Sequence, residues 1–124
     1  MTAISRDLAA GEMRTRIRIL APTYDNDPEG YKNPSYANIY PDDRTIRCKW
    51  ISAFGTEAVQ AQSLGLKEAA TLTLRYDPRI HGDCIVQLGE GENKKLYEII
   101  SPPNDIGDRH RFMELRVKRR EKAL

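Results

Sequence analysis

Two histidines, two cysteines and a scatter of turn aspartates are the residues of this 124-residue chain whose types could do chemistry. His81 lies in the turn PRIHGD and His110 in the turn GDRHRF, each just before a strand-like run. Either imidazole could meet a carboxylate, Asp83 or Asp108. Such a pair is half of a general acid–base arrangement. The other half, a nucleophile in a recognisable motif, is absent beside both. Cys48 and Cys84 sit in apolar alternation, where a reduced thiol packs as a small hydrophobe. They lack zinc-site spacing, and sequence does not give the distance that a disulfide requires. Asp77, Asp83 and Asp105 are turn formers first. The run LGEGENKK lacks phosphate-loop spacing, and a strand rather than a helix follows it. No catalytic, metal or cofactor constellation emerges, and the chain reads as a non-enzyme.

Binding chemistry is better supplied. Tyr24, Tyr31, Tyr36 and Tyr40 are four of the six tyrosines and fall in one irregular stretch. Tyrosine offers large contact area at low entropy cost, so this stretch is a candidate interface or channel loop. The competing reading is that some of these rings cover the edge of the fold. Near the C-terminus, Arg116, Lys118, Arg119, Arg120 and Lys122 are opposed by Glu121 alone. This run is either a solvated, frayed end or a patch facing DNA or an acidic partner. The formal net charge of +2 makes no general case for nucleic-acid binding. A small OB-like nucleic-acid binder needs aromatic residues on a strand face. Tyr76, Tyr97 and Phe112 are available, one on each of three strands, and the two tyrosines also fit the core alternation.

The elements that must position these residues are mostly strands. Arg14–Leu20 alternates, with Ile17 and Ile19 on one face and Arg16 and Arg18 on the other. Ala21–Arg44 carries Pro22, Pro28, Pro34 and Pro41 and is either a functional protrusion or a hairpin with obscure strands. The central stretch Ile46–Tyr76 reads strand–helix–strand. Its helix, Thr56–Leu64, has Thr56 as N-cap and Gly65 beyond its end. Cys84–Leu88 and Leu96–Ile100 flank a glycine-rich, charged loop, and Arg111–Arg119 is the last strand. Trp50, Leu72, Leu74, Met113 and Leu115 are the expected structural core. The tally of about six short strands and one short helix predicts a mainly β fold, a small antiparallel barrel with a long irregular loop. Length suits a single domain, residues 1–124, with an N-terminal arm at 1–10, the long loop at 21–45 and a basic tail at 118–124. No signal-peptide core or membrane-length apolar run occurs, so a protein of the reducing cytoplasm is expected.

Three segments, in order and spacing, resemble the head–tail joining (head-closure, or head–tail adaptor) family of tailed bacteriophages. GEMRTRI at Gly11–Ile17 is similar to that family's GELRHRI opening. Cys48–Tyr76 resembles its aromatic strand, its G(S/T)E helix start and its strand ending in Arg-Tyr. KLYEIISPPNDIGDRHRFMELRVKR at Lys95–Arg119 resembles its closing pattern. The resemblance implies a small β-barrel with one helix, without cofactor or catalysis. It also implies a ring of roughly six or twelve copies between the portal or adaptor and the tail. Such a ring closes the filled head, touches packaged double-stranded DNA without sequence preference, and docks the tail. The chain would be made in the bacterial host cytoplasm and end at the virion head–tail junction, away from any membrane. A tail-terminator-type protein shares this logic and differs in location.

Overall fold

Eight strands order the chain. They are β1 (Thr15–Thr23), β2 (Ser35–Asn38), β3 (Ile46–Ser52), β4 (Ala70–Arg75), β5 (Ile85–Leu88), β6 (Lys95–Ile99), β7 (Asn104–Asp105) and β8 (Phe112–Arg119). The computed structural model describes residues 12–23, 35–52 and 68–121. The helix expected at Thr56–Leu64 and the arm at 1–10 lie outside the described residues, as do Tyr24 and Tyr31. Within the described residues, the helical pieces are three-residue 3-10 turns at Pro41–Asp43, Gly91–Asn93 and Ile106–Asp108.

Six of the strands close a barrel in the order β1-β3-β4-β8-β6-β5, and β5 returns to β1 with Ile19 opposite Val86. Every pairing is antiparallel. Closure removes the barrel's own sheet edges. It follows from six short strands whose inward positions are apolar at every second residue. Ala70, Leu72 and Leu74 of β4 point inward and meet Val117, Leu115 and Met113 of β8 in register. Ile17, Ile19, Cys48, Val86 and Tyr97 complete the interior. Trp50 is only half-buried. It packs edge-on against Tyr97 at 4.8 Å, and its Nε1 donates to Ser52 Oγ at 3.2 Å.

The described parts of the irregular stretch at 21–45 include two paired antiparallel strands. β1 runs on to Thr23, and β2 returns along it from the pair Thr23–Ser35 to Leu20–Asn38. β2 and then β3 occupy the same edge of β1, separated by the 3-10 turn at Pro41–Asp43. The β1–β2 pair buries a second, outer cluster in which Tyr36 covers Leu20, Ile85 and Leu96. That cover explains how Leu20, on the outer side of a strand, becomes buried.

The expected basic tail is also more ordered than its composition suggests. β8 continues through Arg119, and the Arg120 amide donates to the Leu96 carbonyl at 2.7 Å. Residues 122–124 lie outside the described residues.

Both cysteines are free and buried. Burial pushes the Cys48 thiol up to about 12 and raises that of Cys84 as well. Since thiolate is the reactive form, neither is expected to react with iodoacetamide at pH 8 in the folded chain, while both react in 6 M guanidinium. Mass spectrometry of the alkylated protein reads this directly, and rapid labelling of native Cys48 would contradict the barrel packing.

Candidate interaction surface

Of the four tyrosines of the irregular stretch, the two described ones, Tyr36 and Tyr40, sit in separate clusters. Tyr36 is held in the outer cluster with the Arg120 guanidinium over its ring at 5.8 Å. Tyr40 leans on the main core and donates from its hydroxyl to Asp77 Oδ2 at 3.0 Å. Arg79 grips the same carboxylate from the other side, with Nε on Oδ1 at 3.0 Å and Nη2 on Oδ2 at 2.8 Å. It also spans the Tyr40 ring at 5.0 Å and donates to the Ile39 carbonyl at 3.0 Å. This cluster ties the approach to β3 to the turn after β4.

Hydrogen bonds from Arg79 hold the Asp77 carboxyl below the usual carboxylate range, and Tyr40 adds to the effect. Its folded pKa therefore lies below its unfolded one, and the unfolded chain takes up the proton first. The stability contributed by Asp77 is full above the ordinary carboxylate value of about 3.9 and is lost as pH falls through the lowered value. Asp77→Asn is expected to flatten that part of the acid limb. Urea midpoints measured between pH 2 and 6 test this, and parallel curves for the two proteins would contradict it.

The basic residues at the chain end are largely engaged within the molecule. Arg119 donates to Glu68 at 2.8 Å, Lys118 lies 3.9 Å from Glu98, and Arg116 lies 4.0 Å from Glu114. Pairs this exposed contribute little to stability, and they remain open to exchange with a partner. The histidines are also turn-bound. His110 Nδ1 contacts Asp105 rather than Asp108, and its ring stacks on Tyr76 at 4.6 Å. The left-handed backbone at His110 (φ 55°) folds the turn back toward Asp105, whose Oδ1 also accepts the His110 amide at 3.0 Å. His81 Nδ1 lies 4.0 Å from Asp83. Of the three aromatics considered for base stacking, Tyr97 is buried in the barrel and Tyr76 is occupied by His110. They do not make a stacking platform. No group of three or more His, Cys, Asp or Glu suited to a metal occurs among the described residues. No helix among them is long and apolar enough to cross a membrane.

Arg18 is the buried charge on the outer side of β1. Its Nε donates to Asp43 at 2.8 Å and its Nη2 to Glu90 at 2.7 Å. Asp42 and Asp43 take left-handed backbone in the first of these turns, and Gly89 and Gly91 flank Glu90 in the second. Aspartate and glycine tolerate that region, which is how both turns bring a carboxylate over the strand.

Beside this clamp lies a cleft of about 670 Å³. Arg16, Arg44, Arg47 and Arg75 line it together with Tyr40 and Tyr76. Arg16 and Arg47 are directly opposed in the β1–β3 ladder. Arg75 lies one step past the Cys48–Leu74 pair of the β3–β4 ladder, so three exposed arginines cross three adjacent strands. Neighbouring strands are about 4.8 Å apart, so the row spans roughly 10 Å. Arg16 reaches the Thr45 hydroxyl at 3.4 Å. None of the three has a carboxylate partner among the described residues, and Asp77 at the cleft wall is taken by Arg79 and Tyr40. Read one at a time along the sequence, these arginines look like solvated strand positions. Only the register makes them a row.

The fold is shared with the solution structure of protein SF1141 from Shigella flexneri 2a. That structure superposes with a TM-score of 0.66 at 17% identity, over 94% of this chain and all of the other. No curated protein matches the sequence. A family model described as phage head completion protein matches residues 8–120. That span runs from before β1 to the end of β8 and takes in the whole barrel, its β1–β2 pair and the arginine row, and the chain belongs to the phage head completion protein family.

Proposed function

We propose that this chain is a connector that assembles as a ring between the portal or adaptor and the tail, closing the DNA-filled head and giving the tail its docking surface. Membership in the head completion family supplies the coarser part, a structural role in phage head assembly as a component of the virion. The observation that carries the finer reading is the family match over the whole barrel, residues 8–120, in place of a match to one motif. Support comes from the surface. The closed barrel puts its apolar side chains inside and leaves charged outer faces, including a row of like charges that a neighbour of opposite sign would neutralise. Contacts of this kind suit subunits that meet through two different surfaces, as a ring requires.

The genetic test is a stop codon early in the gene. Cells carrying it are expected to accumulate filled or leaking heads without tails, together with free tails. Supplying the chain from a plasmid should restore tailed particles. Normal yields of infectious, tailed particles without the chain would overturn the proposal.

A further inference from the structure

We infer that the cleft holding the row Arg16–Arg47–Arg75 is a docking site for an extended acidic segment of another protein of the head–tail junction, gripped by arginine–carboxylate forks. The cleft stands on its own geometry, whereas placing its partner at the junction rests on the connector reading. Three observations carry the inference. First, the row is charge that the described residues leave without a carboxylate. Arg16 and Arg47 are opposed in register, and Arg75 continues the line on β4. Each is exposed beside a buried neighbour, Ile17, Cys48 or Leu74, so all three project from the outer face. Like charges side by side across strands repel. Asp77 at the cleft wall is held by Arg79 and the Tyr40 hydroxyl, so it does not relieve them.

Second, the residue types select a carboxylate-bearing peptide. Among the described residues, the cations that line the cleft are arginines rather than lysines. A guanidinium fork takes both oxygens of a carboxylate, which a point-like ammonium does not do. Tyr40 and Tyr76 add their rings to the same cleft, an apolar wall for the residues between two acids. Arginine forks also fit phosphate, and here shape decides. A duplex carries its phosphates on a convex rod, which meets the rim of a concave cleft of about 670 Å³ and leaves the tyrosine wall uncovered.

Third, the spacing fits an extended segment lying across the strands. The row spans roughly 10 Å, two strand spacings. Alternate side chains of an extended peptide share one side and stand roughly 7 Å apart, so two carboxylates fit within the row. Among the described residues, no strand of this chain carries two carboxylates at alternate positions. The strand acids Glu98 and Glu114 already lie beside Lys118 and Arg116. The segment is therefore assigned to a different protein and not to a second copy.

The chemistry is tested on the purified chain with a labelled Glu-Val-Glu-Val-Glu peptide, followed by fluorescence anisotropy. Saturable binding is expected with a Kd of about 100 μM or tighter at low salt, weakening as salt rises. Arg47→Glu together with Arg75→Glu should weaken it by about tenfold or more, and the milder Arg47→Gln should act in the same direction. Arg116→Glu, at a residue that does not line the cleft, should leave it unchanged. Variants that melt within a few degrees of wild type separate contact from folding. Absence of binding, or binding indifferent to the row, would overturn the inference. So would tighter binding of a labelled DNA duplex that the same row variants abolish.

The source of the segment is read in assembled particles that carry a photo-crosslinking residue in place of Arg47. The expected adduct is with a segment of a portal, adaptor or tail protein bearing two acids at alternate positions. An adduct with DNA, with a second copy of this chain or with nothing would overturn the assignment. Electron microscopy of the same particles keeps the connector reading separate. A ring at the junction without the expected adduct removes only this docking site, whereas a junction that lacks the chain removes the reading beneath it.

Discussion

Leu115→Ala is expected to lower the free energy of unfolding by about 3–5 kcal/mol, the upper part of the range for buried leucine truncations. Leu115 is fully buried at the middle of β8 and faces Leu72 across the ladder. β8 pairs with β4, β6 and β7, so neighbours constrain it on both sides. A closed barrel cannot shrink around a lost side chain without breaking register on both sides. The cavity therefore stays largely open, and the penalty stays high. Against a total of about 5–15 kcal/mol for a typical domain, the loss is large enough to move the urea midpoint far to the left. Trp50→Ala, which the sequence places in the core at a cost of about 3–5 kcal/mol, is expected to cost less than Leu115→Ala. Trp50 is only half-buried and leans on Tyr97 near the end of β3. Equilibrium urea unfolding of both variants checks the order. A loss under about 1 kcal/mol for Leu115→Ala, or a larger loss for Trp50→Ala, would contradict the packing described.

Replacing residues 24–34 with Asn-Gly is expected to leave the barrel folded and to lower infectious yield by about a hundredfold, as the loss of an assembly surface would. Thr23 and Ser35 form the last ladder pair, joined further by the Thr23 hydroxyl donating to the Ser35 carbonyl at 3.1 Å. A two-residue turn of that sequence suits such a pair. Shortening the connection also reduces loop-closure entropy, so stability should change by no more than about 1 kcal/mol. The structural work of the β1–β2 pair is done by Tyr36 over Leu20, Ile85 and Leu96, and β2 is retained. What is removed includes Tyr24 and Tyr31, two of the residues expected at an interface or channel loop. Thermal melts of the purified chain and plaque counts in complemented cells read the two halves separately. Wild-type plaque counts from a folded, shortened chain would remove the segment from assembly.

The barrel strands were legible because each alternates. Leu72 and Leu74, or Met113, Leu115 and Val117, declare an inward face without any help from elsewhere. β2 was hidden because its four residues stand between Pro34 and Pro41, and Tyr36 gains its burial only from Leu20 on another strand. Closure of the barrel through β1 and β5 is likewise a long-range fact. Arg18 shows the same limit. Along the sequence it shares one face of a strand with Arg16, yet Asp43 and Glu90, separated from it by 25 and 72 positions, bury it. The arginine row was written in the sequence residue by residue, but its meaning depends on register, which no local pattern supplies. The resemblance of the three segments to head–tail joining proteins pointed to the phage family that the match over residues 8–120 shows.

The most direct measurement is electron cryomicroscopy of intact particles at the head–tail junction. The predicted result is a ring of this six-stranded barrel between portal and tail, with each copy in contact with its neighbours. Density for the chain found only elsewhere in the particle, or at the junction without contacts between copies, would contradict the connector role.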